Sequence, residues 1–258
     1  MSSRPLRRLL AQALTPLLSA LIVVALWWWA TVALGIRSFF LPSPPDIVAA
    51  LRREPAYLLQ ELGRTTAETL AGFAIAAVAG VLIAIALTTW RTLERATLPL
   101  LVALNAVPKV AVAPLLVVWL GFGPQPKIVL VVLISFFPIV LSSAAGLTAT
   151  PVELTELTRS LEASHWQTYL RLRLPWALPQ IFVGLKVAVS LAVIGAVVAE
   201  ISNPDGGLGA VVVLSSTSAD TPLAFAAILL LAALSVTLFY AVAAAERLLV
   251  PWARHITG

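Results

Sequence analysis

The 258-residue sequence predicts an all-α polytopic membrane protein, and three observations carry that prediction. Hydrophobic residues make up 60% of the chain and charged residues 11%, where a soluble domain carries about 25% charged residues. The apolar residues gather into six runs of about 20, the length a helix needs to cross the hydrocarbon core. The basic residues fall in the short segments between those runs and are not interleaved with aromatics on one face, which argues against nucleic acid as a partner. The net charge of +5 therefore reads as topology in a lipid bilayer.

The first run, Pro16 to Gly35, follows Arg4, Arg7 and Arg8 and contains Trp27, Trp28 and Trp29, residues suited to a membrane–water interface. It lacks a clear small-residue cleavage site, so it reads as an uncleaved span. Residues 1–35 are then a cytoplasmic tail and first span, and 36–69, with prolines and mixed charge, an extracytoplasmic connector containing one short amphipathic helix. Residues 70–258 form the core of a single transmembrane domain, with spans at Leu70 to Trp90, Ala96 to Leu120, Ile128 to Leu147, Leu178 to Ala199 and Pro222 to Ala245. Gly72, Ala76 and Gly80, at four-residue spacing, allow close helix contact either within the chain or between chains. After the fifth span, "NPDGGLG" predicts a turn and then a partly inserted segment.

Orientation follows from the retention of basic residues in the cytoplasm. With six spans and the N-terminus inside, Arg4, Arg7, Arg8, Arg91, Arg95, Arg159, Arg171, Arg173, Arg247 and Arg254 are cytoplasmic. Arg37, Arg52, Arg53, Arg64 and Lys127 lie outside, and both termini lie inside.

The loop at 149–177 holds the most polar stretch, "ELTRSLEASHWQTYLRLRLP", Glu156 to Pro175. Leu154, Leu157 and Leu161 recur at helical spacing, which predicts a short amphipathic helix. Ser164 and Gln167 predict a capping box for a second helix through Trp166, ending near Pro175. On the residues alone this is either a connector resting at the headgroups or a docking element for a cytosolic partner.

The stretch resembles the cytoplasmic loop of permease subunits of binding-protein-dependent ABC importers, which reads Glu-Ala-Ala, three residues, Gly, nine residues, Ile, one residue, Leu-Pro. Glu156, Leu157 and Thr158 occupy the first three positions, Glu162 the glycine, Leu172 the isoleucine, and Leu174-Pro175 the end. The stretches "FLPSPPDIV", "LAGFAIAAVAGVLIAI", "VPKVAVAPLLVVWLGFGPQPKI", "FFPIVLSSAAGL", "LPWALPQIFVGLKVAVSLAVIGAVVAEI" and "GGLGAVV" extend the likeness from about Phe40 to the C-terminus. They resemble the subgroup importing nitrate, sulfonates, taurine or bicarbonate, and related permeases import pyrimidine precursors of thiamine. The resemblance implies the type I ABC importer permease fold in a bacterial inner membrane. It further implies two ABC ATPase subunits and an extracytoplasmic solute-binding protein, while two-fold symmetry favours a second copy of the permease, with a heterodimer as the alternative. Coupling helices at Glu156–Pro175 would meet the ATPase through Glu156, Arg159, Leu161, Glu162, Ala163, Ser164, His165, Trp166, Leu174 and Pro175. At the family glycine, Glu162 would either accept a left-handed backbone at a cost of about 1–2 kcal/mol or mark a changed turn.

Inside the membrane, Lys109 sits between Pro108 and Pro114 and close to Asn105, a candidate lining for an anion path. The competing reading has Lys109 snorkelling from a shorter span. Lys186 is a weaker candidate that could also snorkel. Glu200 and Asp205 flank the outer end of the fifth span, as a gate, a binding-protein contact or a solvated loop.

There is no Gly-rich phosphate loop, no cysteine, and only two distant histidines, so the sequence supplies no catalytic residue, metal set or cofactor site of its own. Mg-ATP is expected on the partner ATPase. The leading expectation is an importer permease for a small, anionic solute, with a thiamine-pyrimidine precursor as an alternative. A self-contained ion-coupled secondary transporter is the competitor from another class.

Overall fold

The computed structural model describes residues 4–89 and 91–252. Side chains at 4–17, 91–95, Leu98, Leu104 and His165 fall outside the description. Among the described residues the chain is helical, without strands. Helix α1 spans Arg4–Ala33 and α2 Pro44–Arg53. Helix α3 spans Pro55–Thr89 and α4 Arg91–Asn105. After a 3₁₀ turn at Lys109–Val112 come α5, Ala113–Leu120, and α6, Pro124–Thr148. Two short helices, α7 at Val152–Ser160 and α8 at His165–Thr168, lead through a π-turn at Tyr169–Arg173 into α9, Leu174–Ser202. Helices α10, Leu208–Thr217, and α11, Thr221–Leu249, complete the fold. Helices α3, α6 and α11, and the continuous run Trp166–Ser202, are long and apolar enough to cross a membrane.

Helix α6 lies between α3 and α9, and small residues let the backbones approach. A β-carbon on Gly72 would stand 2.5 Å from Val131 Cγ1, one on Gly80 2.9 Å from Ile139 Cγ2, and one on Gly184 2.6 Å from Ser142 Cβ. The Gly72–Ala76–Gly80 stripe is therefore internal packing, which resolves the ambiguity the sequence left. At one end of the core Ala84, Ala144, Leu147, Tyr169 and Ile181 cluster, and at the other Leu130 and Ala199 meet α5. Helix α11 runs antiparallel to α9: Trp252 Nε1, past its end, donates to Pro175 O at 3.4 Å. The far end of α1 meets the start of α11, where Trp27 and Phe225 lie 6.4 Å apart and the Thr221 hydroxyl donates to Phe39 O at 2.7 Å.

Three expectations change. The second span starts at Pro55 rather than Leu70, because proline fits the first turn of a helix and nothing breaks the chain before Thr89. The boundary at residue 69 thus falls inside α3. The expected span Ala96 to Leu120 is two helices, α4 and α5, separated by the non-helical stretch before Lys109. Pro108 cannot donate to α4, and Pro114 is accommodated in the first turn of α5. Third, the second loop helix does not stop at Pro175. The proline's missing N–H is absorbed by the π-turn, where the Leu174 N–H reaches Tyr169 O five residues back, and helix continues into α9.

Three helix ends close the same way, with the residue after the last turn in a left-handed conformation. At Gly35 (φ 58°) glycine takes this position, but at Glu162 (φ 52°) and Ala219 (φ 62°) it does not. Each shows the paired bonds of a Schellman motif. At the loop these are Glu162 N–H to Arg159 O and Ala163 N–H to Thr158 O, both 3.0 Å.

Candidate functional site

The loop between α6 and α9 has a bonded backbone and an open surface. Glu162 accepts the left-handed turn, and the next helix starts immediately behind it. The Gln167 N–H donates to Ser164 Oγ at 3.2 Å, and the Ser164 N–H donates to Gln167 Oε1 at 3.0 Å, the capping box expected from the sequence. No residue of α7 is buried. Glu156, Leu157, Arg159, Leu161, Glu162, Ser164 and Trp166 are all exposed, Leu161 by 72%. Ala163, Leu174 and Pro175 are half-buried, and the His165 side chain lies outside the described residues. Among the described residues, Glu156, Arg159 and Glu162 form no ion pair.

At the opposite end of the core, charge is buried. Lys127, at the start of α6, is 2% exposed. It pairs with Asp205, lies 3.5 Å from Glu68 Oε1, and donates to Gly206 O at 2.9 Å. Around it, side chains of α3 and α9 receive the first backbone N–H groups of α10, which have no partner within their own helix. Glu61 Oε2 accepts from Gly207 N–H at 2.5 Å, Thr65 Oγ1 from Leu208 N–H at 2.8 Å, and Glu200 Oε2 from Gly209 N–H at 2.7 Å. Thr65 in turn donates to Glu200 Oε1 at 2.7 Å, and Arg64 pairs with Glu61 at 3.2 Å. Gly207 holds φ at 97°, and a β-carbon there would collide with the Glu200 carboxylate. Near this end α2 is also tied down. Ser43 donates its hydroxyl at 2.8 Å and its N–H at 2.9 Å to Asp46, and the Ser38 hydroxyl donates at 2.9 Å. These bonds, the Ser43 hydroxyl first, hold the Asp46 carboxyl below its ordinary value.

The membrane-embedded candidates separate. Lys109 is half-buried beside the break between α4 and α5. Its ammonium donates to Asn105 O at 2.9 Å and Asn105 Oδ1 at 2.8 Å, and lies 4.7 Å from the centre of the Phe137 ring. Phe137 lies near the middle of α6, so Lys109 sits at mid-depth of the core instead of reaching for an end. Asn105 and Pro108 are exposed beside it. Lys186 does not snorkel alone, for it pairs with Glu246 of α11 at 2.8 Å. Glu200 is wholly buried within the protomer, facing α3 and α10. Lys127, expected in an outer loop, lies instead in the first turn of α6 and is buried among protein side chains.

A family model for the binding-protein-dependent transport system inner membrane component matches residues 76–255. The chain belongs to this family. The permease is 35% identical to the formylaminopyrimidine transport permease protein ThiX of Halalkalibacterium halodurans, over 93% of this chain and 96% of that one. It is 34% identical to the riboflavin transport system permease protein RibX of Chloroflexus aurantiacus, over 90% and 88% of the two chains. It is 28% identical to the taurine transport system permease protein TauC of Escherichia coli, over 94% and 91%. Among solved structures, the inward-facing MetNI methionine ABC transporter superposes with a TM-score of 0.66 at 20% identity, covering 76% of this chain and 97% of that one. The fold is thus that of an ABC importer permease, a multi-pass component of the inner membrane.

The buried charge cluster was absent from the sequence reading, although a signal for it exists. Glu61, Thr65 and Glu68 are spaced four and three residues apart and continue in register into Gly72, Ala76 and Gly80, so one face of α3 carries both. Dividing 36–69 from the second span concealed that continuity.

Proposed function

We propose that this permease subunit forms half of a two-fold translocation pathway and is driven by two ATPase subunits that dock on Glu156–Pro175. A second copy of the chain supplies the other half, because one protomer beside a two-fold axis encloses only one side of a path. An extracytoplasmic binding protein delivers the solute. The loop and both termini face the cytoplasm, and the Lys127 cluster faces outward, as the distribution of basic residues supports. ATP is hydrolysed on the partner subunits, with Mg-ATP bound there.

The observation that carries this reading is the combination at the loop of a bonded backbone with exposed Leu157, Leu161 and Trp166, and with Glu156, Arg159 and Glu162 that form no ion pair among the described residues. Apolar anchors ringed by charges are what a groove in another protein needs: leucines supply contact and charges fix register. The test is co-purification of the ATPase with Leu161→Asp and Glu162→Lys permeases. Loss of an anchor worth about 2 kcal/mol should weaken association about 30-fold and abolish transport-coupled hydrolysis. Unchanged association and hydrolysis in both variants would sink the docking assignment.

Two solute readings each have an observation behind them. A small anion such as a sulfonate, nitrate or bicarbonate suits the mid-depth ammonium of Lys109, and the taurine permease is a relative. A nitrogen heterocycle suits the Phe137 ring beside it and the formylaminopyrimidine and riboflavin relatives. In the anion reading Lys109→Glu abolishes uptake, while in the heterocycle reading Phe137→Leu has the larger effect.

A further inference from the structure

Between α7, the end of α3 and the π-turn lies a cavity of about 480 Å³, partly enclosed and within the size range of small-molecule sites. Arg159 of α7 and Arg173 of the π-turn both line it, and among the described residues no acidic side chain does. Neither guanidinium has an ion pair among the described residues. Thr89, Thr155 and Thr158 also line it, but their hydroxyl protons are committed to the carbonyls of Ile85, Pro151 and Thr155. The donors left for a guest among the described residues are therefore the two guanidiniums, the indole N–H of Trp166 and the hydroxyl of Thr168. One wall is aromatic, with Trp166 stacked on Tyr169 at 6.3 Å and 15° between ring planes. Two unpaired arginines facing one cavity repel each other, and planar guanidinium donors match the oxygens of a phosphate or carboxylate bidentately.

We propose that this cavity binds a small solute bearing an oxyanion group, a phosphate, sulfate, sulfonate or carboxylate, between Arg159 and Arg173, and that the guest fastens α7 to the base of α9. Since α7 has no buried residue of its own, such a tie changes how firmly the coupling loop is held. Binding itself does not depend on the ATPase. Its effect on hydrolysis rests on the docking function proposed above.

The test titrates inorganic phosphate onto the full-length permease in discs of zwitterionic lipid, at constant ionic strength set with chloride, and follows the thermal midpoint. A saturable rise is expected. Arg159→Gln and Arg173→Gln should each weaken the apparent affinity about tenfold or more, the loss of one charge-assisted hydrogen bond. Arg171→Gln, which faces the neighbouring opening, should leave it within about twofold. If Arg173→Gln does not insert, Arg173→Lys replaces it and should weaken binding without abolishing it. A rise that never saturates, or that survives both glutamine variants, overturns the proposal. Phosphate should also shift the midpoint of the assembled transporter. If assembly abolishes the response, the arginines belong to the ATPase contact and the proposal falls. Failure to assemble at all counts against docking alone, while the titration of the lone chain still decides anion binding.

Discussion

At one end of the α3–α6–α9 core, Lys127, Glu61 and Glu200 are buried and hold backbone, whereas at the other end Glu156, Arg159 and Glu162 are exposed and form no ion pair among the described residues. The same residue types do different work because burial changes what a charge must have. In the interior an ion without partners is destabilising by several kcal/mol, so each of these charges sits where acceptors and donors converge. At the surface a lone charge costs almost nothing and adds almost nothing, which leaves it free to meet another protein. The buried end satisfies its charges by itself, and the exposed end leaves its charges free for the docking proposed above.

The contrast breaks most sharply at Lys127. Lys127→Met should destabilise the permease by about 3–5 kcal/mol, because Glu68 and Asp205 lose their cation and Gly206 its donor. Thermal unfolding in detergent reads this. A loss similar to that of a surface lysine would mean that the cluster is not a stabilising network. Adding Asp205→Asn to Lys127→Met should recover part of the loss, since one unpaired charge is then removed.

A smaller and opposite effect is expected at the loop. Glu162→Gly should strengthen the Schellman turn by about 1 kcal/mol, slowing hydrogen exchange of the Glu162 and Ala163 amides about fivefold. If exchange is unchanged, the turn carries no left-handed penalty, and the departure from the family glycine has no energetic meaning. The smallest effect belongs to Asp46. Its folded pKa lies below the unfolded value near 4, so the bonds from Ser43 and Ser38 stabilise α2 above that pH and are lost as pH falls through the folded value. Amide exchange at Ser43 should accelerate below about pH 4 in the wild type. The acceleration should disappear in Asp46→Asn, and its persistence there would assign it to another group.

The positions of these two ends were unequally legible in the sequence. The loop announced itself because its polarity contrasts with the apolar runs on both sides, and because capping and turn chemistry are local: Ser164, Gln167 and the left-handed Glu162 act within a few residues. The apolar lengths of α6, α9 and α11 were legible for the same reason. The buried cluster was not, since Lys127, Glu68 and Asp205 are brought together by helices far apart in the chain, and each alone resembles a solvated loop charge. The break at Pro108 was visible as a proline, but only the structure shows that it divides one expected span into α4 and α5 and suspends Lys109 over Phe137. The π-turn was hidden because proline usually ends a helix, and nothing local says that the turn before it will widen instead.

Helix α10 has ten residues, about 15 Å of helix, half the thickness of a bilayer core. No ribosome-bound segment this short can be kept in a membrane by hydropathy alone, and its opening N–H groups need acceptors from elsewhere. Glu61, Thr65 and Glu200 provide them, and all three precede residue 207 in the chain. During synthesis, then, the acceptors for α10's opening N–H groups are in place before α10 exists. The opening turn of α10 is thus placed by residues already translated, and a substitution at Glu61 would be felt as a defect of biogenesis nearly 150 residues later.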